Sequence, residues 1–174
     1  MITRRAVLRL GGLSGVALLS GCGFQPLYGK QTSGGAIAPE LGAIEINEIG
    51  EGTERRIGQI LKNELIDRFT AGQGRQPTRY RLLVEINQST AALQIQTNDT
   101  VTRFNLVLTA DFELYDSTTS TLLYSSTARA TGSYDVVESE YATLVAEEAT
   151  AEDAARELSN TVTNLLSLYF ARER

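Results

Sequence analysis

The segment from Phe104 to Leu114 has an apolar residue at every second position over eleven residues. A period of two is typical of a β-strand with one face buried and the other in water. The apolar face consists of Phe104, Leu106, Leu108, Ala110, Phe112 and Leu114, and the opposite face includes Arg103, Asn105, Thr109, Asp111 and Glu113. A strand that is apolar on one face only predicts an antiparallel sheet, because parallel sheets are usually covered on both faces.

Three further segments are predicted to be strands of the same sheet. Their apolar sides are Ile44 and Ile46; Tyr80, Leu82, Val84 and Ile86; and Leu122, Tyr124, Ser126, Ala128 and Ala130. A polar turn at 116–120 separates the last two strands of the sheet. A weaker alternation from Ser89 to Thr100 is expected to extend a neighbouring strand.

Two segments have the apolar spacing of amphipathic helices. The first stripe is Ile57, Ile60, Leu61, Leu65, Ile66 and Phe69; the second is Ala151, Ala154, Ala155, Leu158, Val162, Leu165, Leu166 and Tyr169. We expect Thr53 to cap the first helix, and Gly72 and Gly74 to end it. Thr150 with Asp153 resembles a capping box at the start of the second helix. The pattern leaves open whether residues 141–149 form a loop or an earlier turn.

The order of elements is therefore strand, helix, three strands, helix. It predicts an α+β fold in which two helices pack on one face of a mostly antiparallel, about four-stranded sheet. We assign this domain to residues 41–174. One helix cannot cover four strands, so loss of the final helix should expose the core.

The first 21 residues are predicted to be a signal peptide. A basic segment that contains Arg4, Arg5 and Arg9 precedes an apolar run from Leu10 to Leu19. That run is too short for a bilayer, which needs about 20 apolar residues, and it is typical of a secretory signal. The paired arginines also approximate a twin-arginine motif, and they are equally compatible with ordinary basic charge.

Cys22 is the predicted lipidation site. Leu19-Ser20-Gly21-Cys22 matches the bacterial lipobox, with cleavage between Gly21 and Cys22. The alternative is a buried core thiol, but Cys22 is the only cysteine and its neighbours are glycines, which suit a tether. We expect residues 22–40 to form a lipidated flexible linker.

Composition limits the possible functions of the chain. Without its signal the chain has 13 basic and 21 acidic residues, a net charge of −8, which disfavours nucleic acid as a partner. It has no histidine, the usual residue for proton transfer and metal binding. We therefore predict a protein that is not an enzyme and has no cofactor or metal besides the covalent lipid on Cys22.

Two segments carry a family resemblance. In the first, Gly21 to Gly29, the cysteine is followed by an aromatic residue, a proline and Leu27-Tyr28-Gly29. The second, Tyr141 to Glu147, precedes an alanine-rich helix. Together with the order of elements, these segments resemble the lipopolysaccharide (LPS) assembly lipoprotein family LptE, in its alphaproteobacterial form.

The resemblance implies a subunit of the outer-membrane LPS translocon. Members of this family lie inside a large β-barrel, LptD, where they act as a plug, assist barrel assembly and contact LPS. The implied location is the periplasmic side of the outer membrane, held by the lipid anchor. The polar sheet face would suit a hydrated barrel lumen.

Arg103 and Arg129 are candidates for contact with LPS phosphates, because both are predicted on the polar sheet face. The alternative is that they pair with Asp111 or Glu113 across the sheet.

Two other classes remain compatible with the sequence. An auxiliary lipoprotein of an ABC-type lipid transporter can also carry a small α+β domain on a lipid anchor. A lipid-anchored hydrolase would need two carboxylates in one cleft with separated pKa values.

Overall fold

The computed structural model describes residues 37–71, 75–95 and 101–173. The predicted signal peptide, Cys22 and residues 22–36 of the predicted linker lie outside the described residues.

The described chain forms three α-helices and a four-stranded sheet. In chain order the elements are α1 (Ile37–Gly42), β1 (Ile44–Ile46), a 3₁₀ turn (Gly52–Glu54), α2 (Arg55–Thr70), β2 (Tyr80–Ile95), β3 (Val101–Asp116), β4 (Leu122–Asp135) and α3 (Glu140–Arg172). The α+β class is confirmed, with α1 added before the first strand. Helix α1 includes residues 37–40 of the predicted linker.

The sheet has the strand order β1-β2-β3-β4. Strand β1 pairs in parallel with the start of β2, whereas β2, β3 and β4 pair antiparallel through most of their length. The sheet is thus mostly antiparallel. Strands β1 and β2 can pair in parallel because α2, which lies between them in the chain, supplies the crossover connection that parallel strands need. Strand β2 continues to Ile95, as the weak alternation after Ser89 predicted.

The core lies between one face of the sheet and the helices. Leu82, Leu106, Leu108 and Leu114 of the sheet are fully buried, as are helix residues Leu61, Leu65, Leu158, Val162 and Leu166. Burial of each such side chain stabilises the fold by roughly 1.5–3 kcal/mol. The alternation along the strands and the stripes along the helices therefore fix which faces meet, as predicted.

Helices α2 and α3 run side by side in the same direction. Arg56, at the start of α2, contacts Glu152 of α3 at 2.6 Å, and further along both helices Arg68 donates to Ser159 at 2.7 Å. Ser159, Thr163 and Ser167 of α3 are buried, and each hydroxyl donates to a backbone carbonyl of its own helix. These bonds satisfy the three buried hydroxyl groups. The three residues are not part of the predicted apolar stripe, so the sequence did not predict their burial.

Helix α3 begins at Glu140, which settles residues 141–149 as helical. The predicted capping box at Thr150 is wrong. Ser139 is the N-cap and accepts from the Ala142 backbone N–H, whereas the Thr150 hydroxyl donates to the Ala146 carbonyl inside the helix.

Thr53 is likewise not the cap of α2: it lies in the 3₁₀ turn, and the N-cap is Glu54 without a side-chain capping bond. Helix α2 ends at Thr70.

No helix of the described residues combines the length and the apolar content that a membrane span requires.

Candidate interaction surface

The open face of the sheet is the surface opposite the helices. Its side chains are the odd-numbered residues of β2, β3 and β4, because the even-numbered residues point into the core. The polar members include Glu85, Asn87, Ser89, Asn105, Thr109, Asp111, Ser125, Thr127, Arg129, Thr131 and Ser133, each exposed or half-buried. The face is therefore mainly hydroxyl, amide and charged groups.

A shallow depression of about 170 Å³ lies on the open face, lined in part by Glu85, Asp111 and Glu113. Glu85 and Asp111 are directly opposite each other in the β2–β3 register. Asp111 accepts from the Thr127 hydroxyl, and Glu113 accepts from the Tyr115 hydroxyl at 2.6 Å. The bond to Glu113, followed by burial, raises the pKa of Tyr115. The carboxylates of Asp111 and Glu113 are therefore hydrogen-bonded on the open face, which is the face that the period of two predicted for them.

In the described part of the chain, no group of three or more carboxylate, histidine or cysteine side chains could hold a metal ion.

Arg103 is exposed at the start of β3 and binds Asp135 of β4. Its Nε lies 2.7 Å from Oδ1 and its Nη2 lies 3.2 Å from Oδ2. This two-point contact raises the pKa of Arg103 and lowers the pKa of Asp135. Arg103 thus pairs across the sheet, as the alternative to LPS contact predicted, but its partner is Asp135 and not Asp111 or Glu113.

Arg129 is exposed on the open face of β4, opposite Thr109 in the β3–β4 register. Within the described chain, its guanidinium makes no ion pair or hydrogen bond. Arg103 and Thr109 are six residues apart on β3, which is about 20 Å along a strand. The two predicted arginines therefore share a face but do not form one site.

A second exposed surface lies at the start of α3 and has no counterpart among the predicted sites. Tyr141 is 76% exposed, Leu144 is 52% exposed and Val145 is 44% exposed. We call these three residues the free flank of α3. Their spacing of three and four residues is a signal of an apolar helix face that sequence reasoning could have used.

The family of the chain follows from its central 126 residues. Residues 41–166 match the family model LptE, described as lipopolysaccharide assembly. The protein belongs to the LptE family. The match spans the sheet, α2 and most of α3, so it confirms the resemblance, and it ends short of Cys22 on the amino-terminal side.

Solved structures share the fold of this LptE-family chain. A Caulobacter crescentus protein assigned to the lipoproteins superposes with a TM-score of 0.64 at 24% identity, covering 80% of this chain and 98% of its own. Lipoprotein B from Nitrosomonas europaea gives 0.56 at 17% identity, with coverage of 74% and 83%. The rare lipoprotein B from Shewanella oneidensis gives 0.54 at 9% identity, with coverage of 75% and 100%. No curated protein matches the chain.

Proposed function

We propose that this LptE-family protein is an outer-membrane lipoprotein, anchored through Cys22 on the periplasmic side, that plugs an LptD-type β-barrel and assists its assembly. In this role it helps LPS to reach the outer leaflet. It acts by binding, without catalysis and without a cofactor other than its covalent lipid.

The observation that carries the proposal is the polar open face of the sheet in a chain of the LPS-assembly family. The interior of a large outer-membrane barrel is polar and hydrated. A plug must therefore present hydrogen-bonding groups to the barrel wall while it keeps its own core covered. The hydroxyl and amide side chains of β2, β3 and β4 meet the first need, and α2 and α3 meet the second.

Arg129 is the proposed contact for an LPS phosphate, because its guanidinium is exposed and unpaired within the described chain. Arg103 is a weaker candidate. A phosphate would have to compete with the carboxylate of Asp135, which already holds two of its nitrogens.

Affinity purification of the C-terminally tagged full-length protein from detergent-solubilised membranes tests the proposal. We expect a stoichiometric β-barrel by mass spectrometry, and loss of that barrel from the outer membrane when this protein is depleted. A Cys22→Ala variant is the control for anchoring. Recovery of an ABC permease or a substrate-binding lipoprotein, with no barrel, would contradict the proposal.

A further inference from the structure

Helix α3 extends well beyond the amino end of α2. It has 33 residues, whereas α2 has 16. The first ion pairs between α2 and α3 are those of Arg56, which lies 3.4 Å from Glu148 and 2.6 Å from Glu152. The first two turns of α3 therefore lie past the end of its helical neighbour.

The free flank of α3 continues the side of the helix that faces α2. Tyr141 and Val145 precede Glu148 and Glu152 by seven residues, which is close to two helical turns, so they lie on the same side. Further along α3, this side is in contact with α2. At Tyr141 and Val145 it is exposed, so the free flank is the part of an interhelical surface that no other described residue covers.

The sheet beneath this region is also uncovered. The even-numbered residues of β2 are buried from Leu82 to Ile86, but Thr90 and Ala92 on the same face are exposed. A depression of about 200 Å³, lined by Glu54, Gln88, Thr90 and Glu147, opens at the amino end of α2. This depression therefore lies beyond the amino end of α2, between Glu147 of α3 and Gln88 and Thr90 of β2.

The charge around this space selects its occupant. From Ala130 to Ala155 the chain has seven acidic residues and no lysine or arginine. Four of them form ion pairs with arginines outside this segment: Asp135 with Arg103, Glu148 and Glu152 with Arg56, and Asp153 with Arg156. The other three, Glu138, Glu140 and Glu147, form no ion pair within the described chain, so they leave a net negative charge beside the free flank. LPS phosphates and anionic headgroups would be repelled, whereas a basic protein segment would be attracted.

We infer that the free flank of α3 binds a segment of a partner protein that carries apolar anchor residues beside lysine or arginine. The apolar anchors pack on Tyr141, Leu144 and Val145, and the basic residues face the surrounding carboxylates. The inference rests on the proposed function only in naming the barrel as the protein that supplies this segment.

Photo-crosslinking in living cells tests the inference. The photoreactive residue p-benzoylphenylalanine replaces Val145 in the full-length protein and, as a matched control, Leu168, which lies on α3 and is also 44% exposed. We expect a protein adduct at position 145 that is at least about tenfold stronger than at 168, as for a residue central to an interface. The mapped peptide should contain apolar residues beside lysine or arginine.

Substitution gives a second readout. Val145→Asp should lower the recovered partner roughly tenfold, because an added carboxylate would be buried in an acidic interface. Leu168→Asp should leave recovery unchanged. Unfolding temperatures of the two purified variants establish that both fold.

The outcomes separate this inference from the proposed function. Co-purification of a barrel without an adduct at position 145, or with an adduct only to LPS or phospholipid, would overturn the inference and leave the proposed function standing. An adduct to a basic and apolar segment of a protein other than a barrel would support the inference and count against the proposed function.

Discussion

Gly58 lies where α2 passes the backbone that follows β1. A Cβ atom at this position would lie 1.9 Å from the carbonyl oxygen of Ile49, and the neighbouring atoms that it would meet are backbone atoms. Real contacts are never so short, so any side chain at Gly58 would push the helix away from this segment.

Gly58→Ala should therefore lower the free energy of unfolding by about 1–3 kcal/mol, the usual cost of overpacking. Chemical denaturation of the soluble domain measures it. Gln59→Ala, one residue further on the exposed side of α2, is the control and should change stability little. Equal stability of the Gly58 variant and the parent protein would show that the close approach is not required.

Asp135 gives a pH-dependent prediction. Its hydrogen bond with Arg103, aided by the charge of Arg103, lowers the pKa of Asp135 below the ordinary value of 3.8. The folded state therefore releases the proton more readily than the unfolded state. The stabilising contribution is present above pH 3.8 and is lost as the pH falls through the lower folded-state pKa.

Asp135→Asn should thus lower the unfolding temperature slightly near neutral pH, and the difference from the parent should shrink in acid, below about pH 3. Thermal unfolding followed by circular dichroism at both pH values measures it. Asp67→Asn on the exposed side of α2 provides the comparison. A difference that stays constant with pH would mean that the ion pair does not stabilise the fold.

The positions of Arg103 and Arg129 on the open face could be predicted from the sequence, because a period of two assigns each residue to a face. The partner of Arg103 could not be predicted. It depends on the β3–β4 register, in which Arg103 lies opposite Asp135 and a shift occurs between Leu114 and Tyr115. The polar residues at 116–120 predicted a turn, but they did not predict this irregularity, which together with the turn fixes the register.

Leu158 of the final helix, α3, is fully buried in the core. Leu158→Ala should lower the free energy of unfolding by about 2–5 kcal/mol, through lost burial and the cavity left behind. Urea denaturation measures the loss. Leu168→Ala on the same helix removes the same atoms from a side chain that is 44% exposed. Similar losses for both variants would contradict the assigned orientation of α3.

At the scale of elements, the long strands and the apolar stripes of α2 and α3 were predictable because each has a sustained period. Boundaries were less predictable. Thr150 followed by Asp153 has the spacing of a capping box, but Ser139 provides the actual cap eleven residues earlier. Local signals compete at such sites, and tertiary packing of the first turns decides between them.

Helix α1 had no sequence signal because it is short and contains Pro39. Its stability comes from contacts distant in sequence. Leu41 is 3% exposed, and Glu40 lies 2.9 Å from Arg79 and accepts from Tyr80. An isolated helix of this length would not form in water, so only the packed domain could reveal it.

At the scale of the whole molecule, the described domain has one covered and one open sheet face. The covered face holds the core, and the open face is polar with one exposed arginine unpaired within the described chain. The free flank of α3 adds a third kind of surface, apolar and surrounded by carboxylates. Such a division fits a subunit that packs its own core and leaves polar and apolar surfaces for partners.

Cysteine labelling of the open face in cells tests the central claim, that a barrel covers this polar surface. Ser125→Cys and Thr131→Cys lie on exposed strand positions, and Cys22 is the only native cysteine. We predict that both new thiols resist a water-soluble maleimide in intact outer membranes, react readily in the purified protein, and regain reactivity when the barrel is depleted. Equal labelling in membranes and in purified protein would show that the open face is free in the cell and would contradict the account.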